Sequence, residues 1–192
     1  MAQQGPSPIE VYESVVKALM PIMSGVTAAQ INSGTPCSEW NVQSLINHAL
    51  AVQVIGTSVL SKASPDMASM GNVDHALPSE GAEAAFKSIT DTTLAALKRA
   101  NLEDTVETPF GAMPAGNFIM IPITDMIIHK WDLAKATGQG TSLDSGLAEV
   151  GLQVLQGALA KGRDPNFFAA EISLPATASV QDKLLAFSGR QP

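Results

Sequence analysis

Apolar positions recur at helical spacing in several separate stretches of the chain. Val11, Val15 and Leu19 stand at i, i+4 and i+8, with Ile22 completing the stripe. That period predicts a helix from Pro8 to about Gly25. Pro8 suits a first turn, Pro21 is expected to kink or end the helix, and Gly25 to close it. Asn41 reads as the cap of a second helix, Val42 to about Ser61, whose apolar side carries Leu45, His48, Ala49, Val52 and Val59. The stretch from Lys62 to Pro78 has no period and contains Pro65 and Gly71. It is expected to be a loop of the kind that forms a flexible flap. Ser79 is expected to cap a third helix with Phe86, Ile89, Leu94 and Leu97 inside. Lys98 and Arg99 fall near its end, where cations suit the helix dipole.

Asn101 to Gly116 reads as a partly extended connector. A fourth helix covers Pro122 to Ala136, with an earlier start left open by Pro122, and Gly138 ends it. A fifth is expected from about Leu143 to Lys161, then a short strand from Ala170 to Leu174. A last helix runs from Val180 to Ser188, stopped by Gly189. Four long amphipathic helices with few strand signals predict a mainly all-α chain built as a four-helix bundle. No internal repeat or linker divides it. The expected organisation is a single domain over residues 1–192, with 165–192 as a C-terminal appendage.

Composition narrows the partners. Hydrophobic residues make up 45% and charged residues 15% of 192, which fits a globular protein with a sizeable core. The net charge of −7 disfavours nucleic acid and anionic membranes as partners. A single cysteine, Cys37, allows no intrachain disulfide, and the start Met1-Ala2-Gln3-Gln4-Gly5 has no basic, apolar leader. Both point to a cytoplasmic protein. A homodimer is expected, because bundles with exposed apolar stripes tend to pair.

Polar residues on otherwise apolar helix faces carry the candidate chemistry. Asp125 and His129 are four apart in Ile123-Thr124-Asp125-Met126-Ile127-Ile128-His129, so they share a helix face within about 40°. A carboxylate and an imidazole so placed make half of a metal site. Asp125 equally suits a helix N-terminus after Pro122, with His129 a core histidine. His48 lies in the apolar run Leu45-Ile46-Asn47-His48-Ala49-Leu50. Burying an imidazole without a partner costs about 1–3 kcal/mol. Three ligands meeting at one cation, His48, Asp125 and His129, would remove that cost.

Asp132, on the same face, suits either orienting His129 or a polar role near the helix end. His75, in Val73-Asp74-His75-Ala76-Leu77, suits a fourth ligand or an acid–base group less well than a solvated loop residue. Asp132 and His75 are therefore the candidate catalytic residues. Cys37 fits a nucleophilic thiol near a helix start less well than a small packed side chain. Trp40 and Trp131 read as packing residues, either of which could wall a pocket. Phosphate-loop, dinucleotide, serine-hydrolase and His-Glu-x-x-His motifs are absent from the sequence.

Several of these segments also carry a family resemblance. Thr35-Pro36-Cys37-Ser38-Glu39-Trp40-Asn41-Val42 with Leu45-Ile46-Asn47-His48 resembles the entry to the second helix in a group of actinobacterial-type metal-binding proteins. Asp125 to His129 followed by Trp131-Asp132-Leu133-Ala134-Lys135-Ala136-Thr137-Gly138 resembles their second ligand segment. Thr108-Pro109-Phe110-Gly111 and Gln181 to Arg190 also fit. The group belongs with the DinB-like superfamily, which includes the N-terminal domain of mycothiol-dependent maleylpyruvate isomerase.

The resemblance implies a DinB-like four-helix bundle with a divalent metal, zinc or nickel, on His48, Asp125 and His129. Asp125 stands where the isomerase has a glutamate. The implied function is a metal-dependent, thiol-dependent transferase or isomerase acting on a small molecule, with a low-molecular-weight thiol of the mycothiol type as partner. The alternatives are a metal-bearing bundle that binds a small ligand without catalysis, and a metal-free buried polar network. Whether the chain is an enzyme is left open between these.

Overall fold

The computed structural model describes residues 6–160, 162–164 and 168–192. Six α-helices dominate it: α1 (Pro8–Ser24), α2 (Val42–Leu60), α3 (Ala82–Arg99), α4 (Ala115–Thr137), α5 (Ser145–Ala158) and α6 (Val180–Phe187). β1 (Thr105–Val106) and β2 (Met113–Pro114) pair antiparallel in the α3–α4 connector. Helices α1 and α2 each pack against both α3 and α4, which makes a bundle, and α5 with α6 covers the outer side of α4.

Local chemistry explains most of the boundaries. Ser7 and Glu10 form a reciprocal capping box at the start of α1. Asn41 accepts from the Ser44 N–H at 2.9 Å to open α2. Val11, Val15, Leu19 and Ile22 are all buried, as are Leu45, His48, Ala49, Val52 and Val59. Gly138 closes α4 at φ +69, a left-handed conformation that glycine adopts without strain. A buried polar chain ties three helices together: the Tyr12 hydroxyl donates to Gln53 Oε1 at 2.8 Å, and the Thr93 hydroxyl donates to the Gln53 carbonyl at 3.3 Å.

Several expectations are corrected. Helix α1 does not end at Pro21, which is exposed on the solvent side, but continues to its expected close at Gly25. Helix α3 starts at Ala82 with Gly81 at the cap and no side-chain cap bond, so Ser79 lies outside it. Helix α4 begins seven residues before Pro122. That proline is buried against α2 beside Gly56: a Cβ on Gly56 would lie 3.7 Å from Pro122 Cγ, in ordinary contact. Packing of the ring offsets the lost backbone bond. Helix α5 ends at Ala158, and Lys161, its expected end, lies outside the described residues. The appendage boundary at 165 and the leader residues 1–5 also fall there.

The run from Ala170 to Leu174 forms no strand; instead the Ile172 N–H donates to the Ala186 carbonyl of α6 at 3.0 Å. A strand needs a free edge to pair with. Among the described residues the one sheet is the short β1–β2 hairpin at the far end of the connector.

The long connector after α2 contains one turn of tight helix, Met67–Met70. It is tied to α2 by Asn47, which donates to the carbonyls of Val73 (2.9 Å) and His75 (2.7 Å), and by Ser44, which donates to Asp74 (3.0 Å). Among the described residues no helix is long and apolar enough to cross a membrane.

Candidate metal centre

Helix α4 is covered on both sides, by the bundle and by α5–α6, so even its polar residues are buried: His129, Lys130 and Asp132 among them. One turn separates Asp125 from His129, and α2 brings His48 to the same point. Asp125 Oδ1 lies 3.3 Å from His129 Nε2 and 3.3 Å from His48 Nε2. The three donor atoms lie within 4.8 Å of one another. The two imidazole rings meet edge-on with centroids 5.1 Å apart. Their side chains are 9% exposed and that of Asp125 is 22% exposed, which leaves a small opening to solvent.

The outer nitrogens of both rings are held. His129 Nδ1 is 2.8 Å from Asp132 Oδ2, and His48 Nδ1 is 3.3 Å from the Met70 carbonyl. A carbonyl and a carboxylate can only accept, so each Nδ1 carries the proton. In the neutral tautomer, each Nε2 is then a bare lone pair aimed at a carboxylate oxygen. Two lone pairs facing one anion repel unless protons or a cation lie between them.

Asp125 Oδ2 is buried and has no hydrogen-bond partner, a further sign that the carboxylate is set up for something positive. This donor set and its outer partners fit a divalent ion: two imidazoles, one carboxylate, and second-layer acceptors on the imidazoles.

Without an ion, protons take the place of the cation between these groups. Burial alone would raise the Asp125 carboxyl, but His129 and His48 outweigh it and hold the group well below the usual carboxylate range. Burial works against charge on His129, yet Asp125, Asp132 and Cys37 beside it raise its pKa well above the ordinary value. Asp132 is fully buried and would be raised by burial, but His129 and Arg190 keep it low.

The loop before α2 supplies the wall. The Thr35 hydroxyl lies 2.8 Å from the Trp40 carbonyl and 3.1 Å from the Cys37 carbonyl and N–H, folding Thr35-Pro36-Cys37 into a tight turn. That turn aims both Cys37 and Trp40 inward. The Trp40 ring lies 4.4 Å from His48 and 6.0 Å from His129, centroid to centroid. Cys37 Sγ lies 3.4 Å from Asp132 Oδ2.

The structure thus brings together His48, Asp125 and His129, with Asp132 and Cys37 behind them. It does not bring in His75, whose ring is exposed and bonds the adjacent Ala76 carbonyl at 3.0 Å. Trp131 is buried away from the triad, with Lys135 Nζ 4.2 Å above its ring.

Sequence reasoning missed Arg190. Its guanidinium reaches Asp132 at 3.0 Å and Cys37 at 3.3 Å. The signal for it was its place at the end of the 181–190 segment that carries the family resemblance, directly after Gly189.

The description "Mycothiol maleylpyruvate isomerase N-terminal domain" belongs to the family model that matches residues 13–134. Two uncharacterized proteins from two strains of Mycobacterium tuberculosis are each 31% identical over 186 residues, covering 95% of this chain and 97% of theirs. A crystal structure of the mycothiol-dependent maleylpyruvate isomerase superimposes with a TM-score of 0.61 at 15% identity. A histidine-to-alanine mutant of that enzyme gives 0.65 at 14%. Both alignments cover 79% of this chain and 68% of the isomerase, and at that identity they establish the shared all-α, DinB-like fold.

Proposed function

The chain belongs to the mycothiol maleylpyruvate isomerase N-terminal domain family, and from that premise we propose that it is a divalent-metal-dependent enzyme of the thiol-using transferase or isomerase kind. His48, Asp125 and His129 are the ligands in this reading. Zinc or nickel is the expected ion, a low-molecular-weight thiol of the mycothiol type the co-substrate, and a small molecule the substrate. The observation that carries it is the convergence of ring nitrogens: two Nε2 atoms at 3.3 Å from one carboxylate oxygen, with both Nδ1 atoms already committed elsewhere and Asp125 Oδ2 buried without a partner.

When bound, the ion would act as a Lewis acid that lowers the pKa of a coordinated thiol or water. The protein's own residues do the rest. Asp132 fixes the tautomer and orientation of His129, and the Met70 carbonyl does the same for His48. Trp40 shields the imidazoles from water on one side. Three protein ligands leave coordination positions free for exogenous groups, the pattern of a catalytic rather than a structural site.

Metal content of untagged protein, followed by turnover assays with and without mycothiol, tests the proposal. A divalent ion at one equivalent, lost in His48→Ala and Asp125→Ala, supports the ligand set. Wild-type stoichiometry in either variant defeats it. Bound metal without thiol-dependent turnover of any small electrophile leaves a ligand-binding bundle as the better reading.

A metal-free network has one observation in its favour. Asp125 is already flanked by two imidazoles at ion-pair distance, so protons could play the part of the ion. Protein that remains metal-free after dialysis against zinc and nickel would select that reading.

A further inference from the structure

A second set of donors stands directly behind the first. Cys37, His129 and Asp132 each bring one ligand atom within 4.8 Å of the others, so the set shares His129 with the triad. Thiolate, imidazole and carboxylate together suit zinc or cobalt at least as well as the N/O/N triad does, because a soft sulfur strengthens binding of such ions. An ion would therefore have two overlapping places to sit.

The second place already holds a positive charge. Arg190 Nη2 lies 3.0 Å from Asp132 Oδ2 and 3.3 Å from Cys37 Sγ, and Nε lies 3.4 Å from Asp132 Oδ1. The guanidinium is held from behind by the Ser188 carbonyl, which accepts from Nη1 at 3.0 Å. Its backbone is fixed as well. The Arg190 N–H donates to the Leu185 carbonyl at 2.8 Å, Gly189 makes the turn at φ +85, and Lys135 of α4 donates to the Gln191 carbonyl at 2.9 Å. A guanidinium keeps its charge at any physiological pH, and its fork of donors matches a carboxylate. This arginine lies beyond residues 13–134, the segment matched by the family model.

We infer that Arg190 is a resident cation that fills the Cys37–His129–Asp132 donor set, bars a divalent ion from it, and so confines the ion to His48, Asp125 and His129. By pinning Asp132 it also acts as a positioning residue for His129, keeping Nδ1 on Asp132 and Nε2 on Asp125. The positioning half rests on the metal reading proposed above. The barring half does not, since it concerns only whether Cys37 becomes a ligand once the guanidinium is gone.

Anaerobic titration with cobalt(II) alone, followed by absorbance, tests it. Wild type should bind cobalt without a thiolate-to-cobalt charge-transfer band in the near ultraviolet. Arg190→Met should acquire that band, and the double variant Arg190→Met/Cys37→Ser should lose it again. Arg190→Lys, which keeps a cation, should stay without it. Cobalt affinity at the triad should fall in Arg190→Met by no more than the roughly 10–100-fold cost of losing the outer partner of a ligating histidine, with partial recovery in Arg190→Lys.

An Arg190→Met spectrum identical to wild type overturns the inference while leaving the triad assignment intact. Wild type that takes up no cobalt overturns the metal reading and the positioning half with it, while the band in Arg190→Met still decides the barring half. Should Arg190→Met fail to fold by circular dichroism, wild type alone remains decisive. A thiolate band on adding cadmium to the folded wild type would show that Arg190 bars nothing.

Discussion

His129 Nδ1 lies 2.8 Å from Asp132 Oδ2, three residues along the same helix, and the Asp132 side chain is fully buried. Such a carboxylate–imidazole pair fixes which ring nitrogen carries the proton. Asp132→Asn keeps the shape and can still accept from Nδ1 but loses the charge. Its divalent-metal affinity should fall about 10–100-fold, the range for losing an outer partner of a ligating histidine. Asp132→Leu should do worse, because it leaves the buried Arg190 unpaired, and a broken buried pair costs about 3–5 kcal/mol. Calorimetric metal titration reads the first effect and thermal unfolding the second. Unchanged affinity in Asp132→Asn would show that the charge of Asp132 contributes nothing to the ligand strength of His129.

Asp125 offers a sharper substitution. Asp125→Asn keeps volume but cannot supply the anionic ligand. It should weaken metal binding by more than the roughly tenfold to hundredfold cost of an outer-layer change. It also removes the charge that raises the pKa of His129. Asp125→Glu restores the charge with one more methylene, and should recover metal content with altered preference between zinc and nickel. Equal metal content in Asp125→Asn and wild type, by elemental analysis, would contradict the assignment.

The elements explain what could be read in advance. Spacing of four placed Asp125 and His129 on one face, and the apolar stripe of α2 placed His48 inside, because helical period reports facing directly from sequence. Nothing local reports which helices are neighbours, so the meeting of His48 with Asp125 needed the resemblance as well as the pattern. The start of α4 stays open in the sequence because Pro122 breaks a helix by its local chemistry. Its burial against α2 near Gly56, a contact between helices, offsets that. Arg190 escaped notice for the same reason: its partners are 58 and 153 positions away in sequence.

The Gly56–Pro122 contact makes a stability prediction. A Cβ at Gly56 would meet Pro122 Cγ at 3.7 Å, Ile119 Cδ1 at 3.8 Å and Thr93 Cγ2 at 4.0 Å, all ordinary packing distances. Gly56→Ala should therefore stabilise the chain by about 0.5–1 kcal/mol, the usual gain on replacing an interior helical glycine. Gly56→Leu has no room for its branch and should destabilise by about 1–3 kcal/mol, the cost of overpacking. Denaturant midpoints of the two variants should fall on opposite sides of wild type. A destabilising alanine would mean that the α2–α4 contact is tighter than the geometry indicates.

The chain has a single tyrosine, Tyr12, and it supplies a clean alkaline probe. Its ring is fully buried between α1, α2 and α3, with the hydroxyl donating to Gln53 Oε1 at 2.8 Å. Burial pushes its pKa well above the model-compound value of 10.0. Between pH 10 and that raised value the folded chain keeps a proton that the unfolded chain has lost. Stability contributed by the neutral phenol is thus complete below pH 10 and declines as pH rises further, by up to about 1.4 kcal/mol per pH unit. Phenolate absorbance should stay absent through pH 10 and then appear together with the loss of helical circular dichroism. Tyr12→Phe should flatten the alkaline decline in melting temperature. At neutral pH it should be less stable by about 1–3 kcal/mol, since it strands Gln53 Oε1 without its donor. Phenolate appearing near pH 10 in a chain that is still fully helical would show that the hydroxyl reaches solvent and that the Tyr12–Gln53 bond does not hold the three helices together.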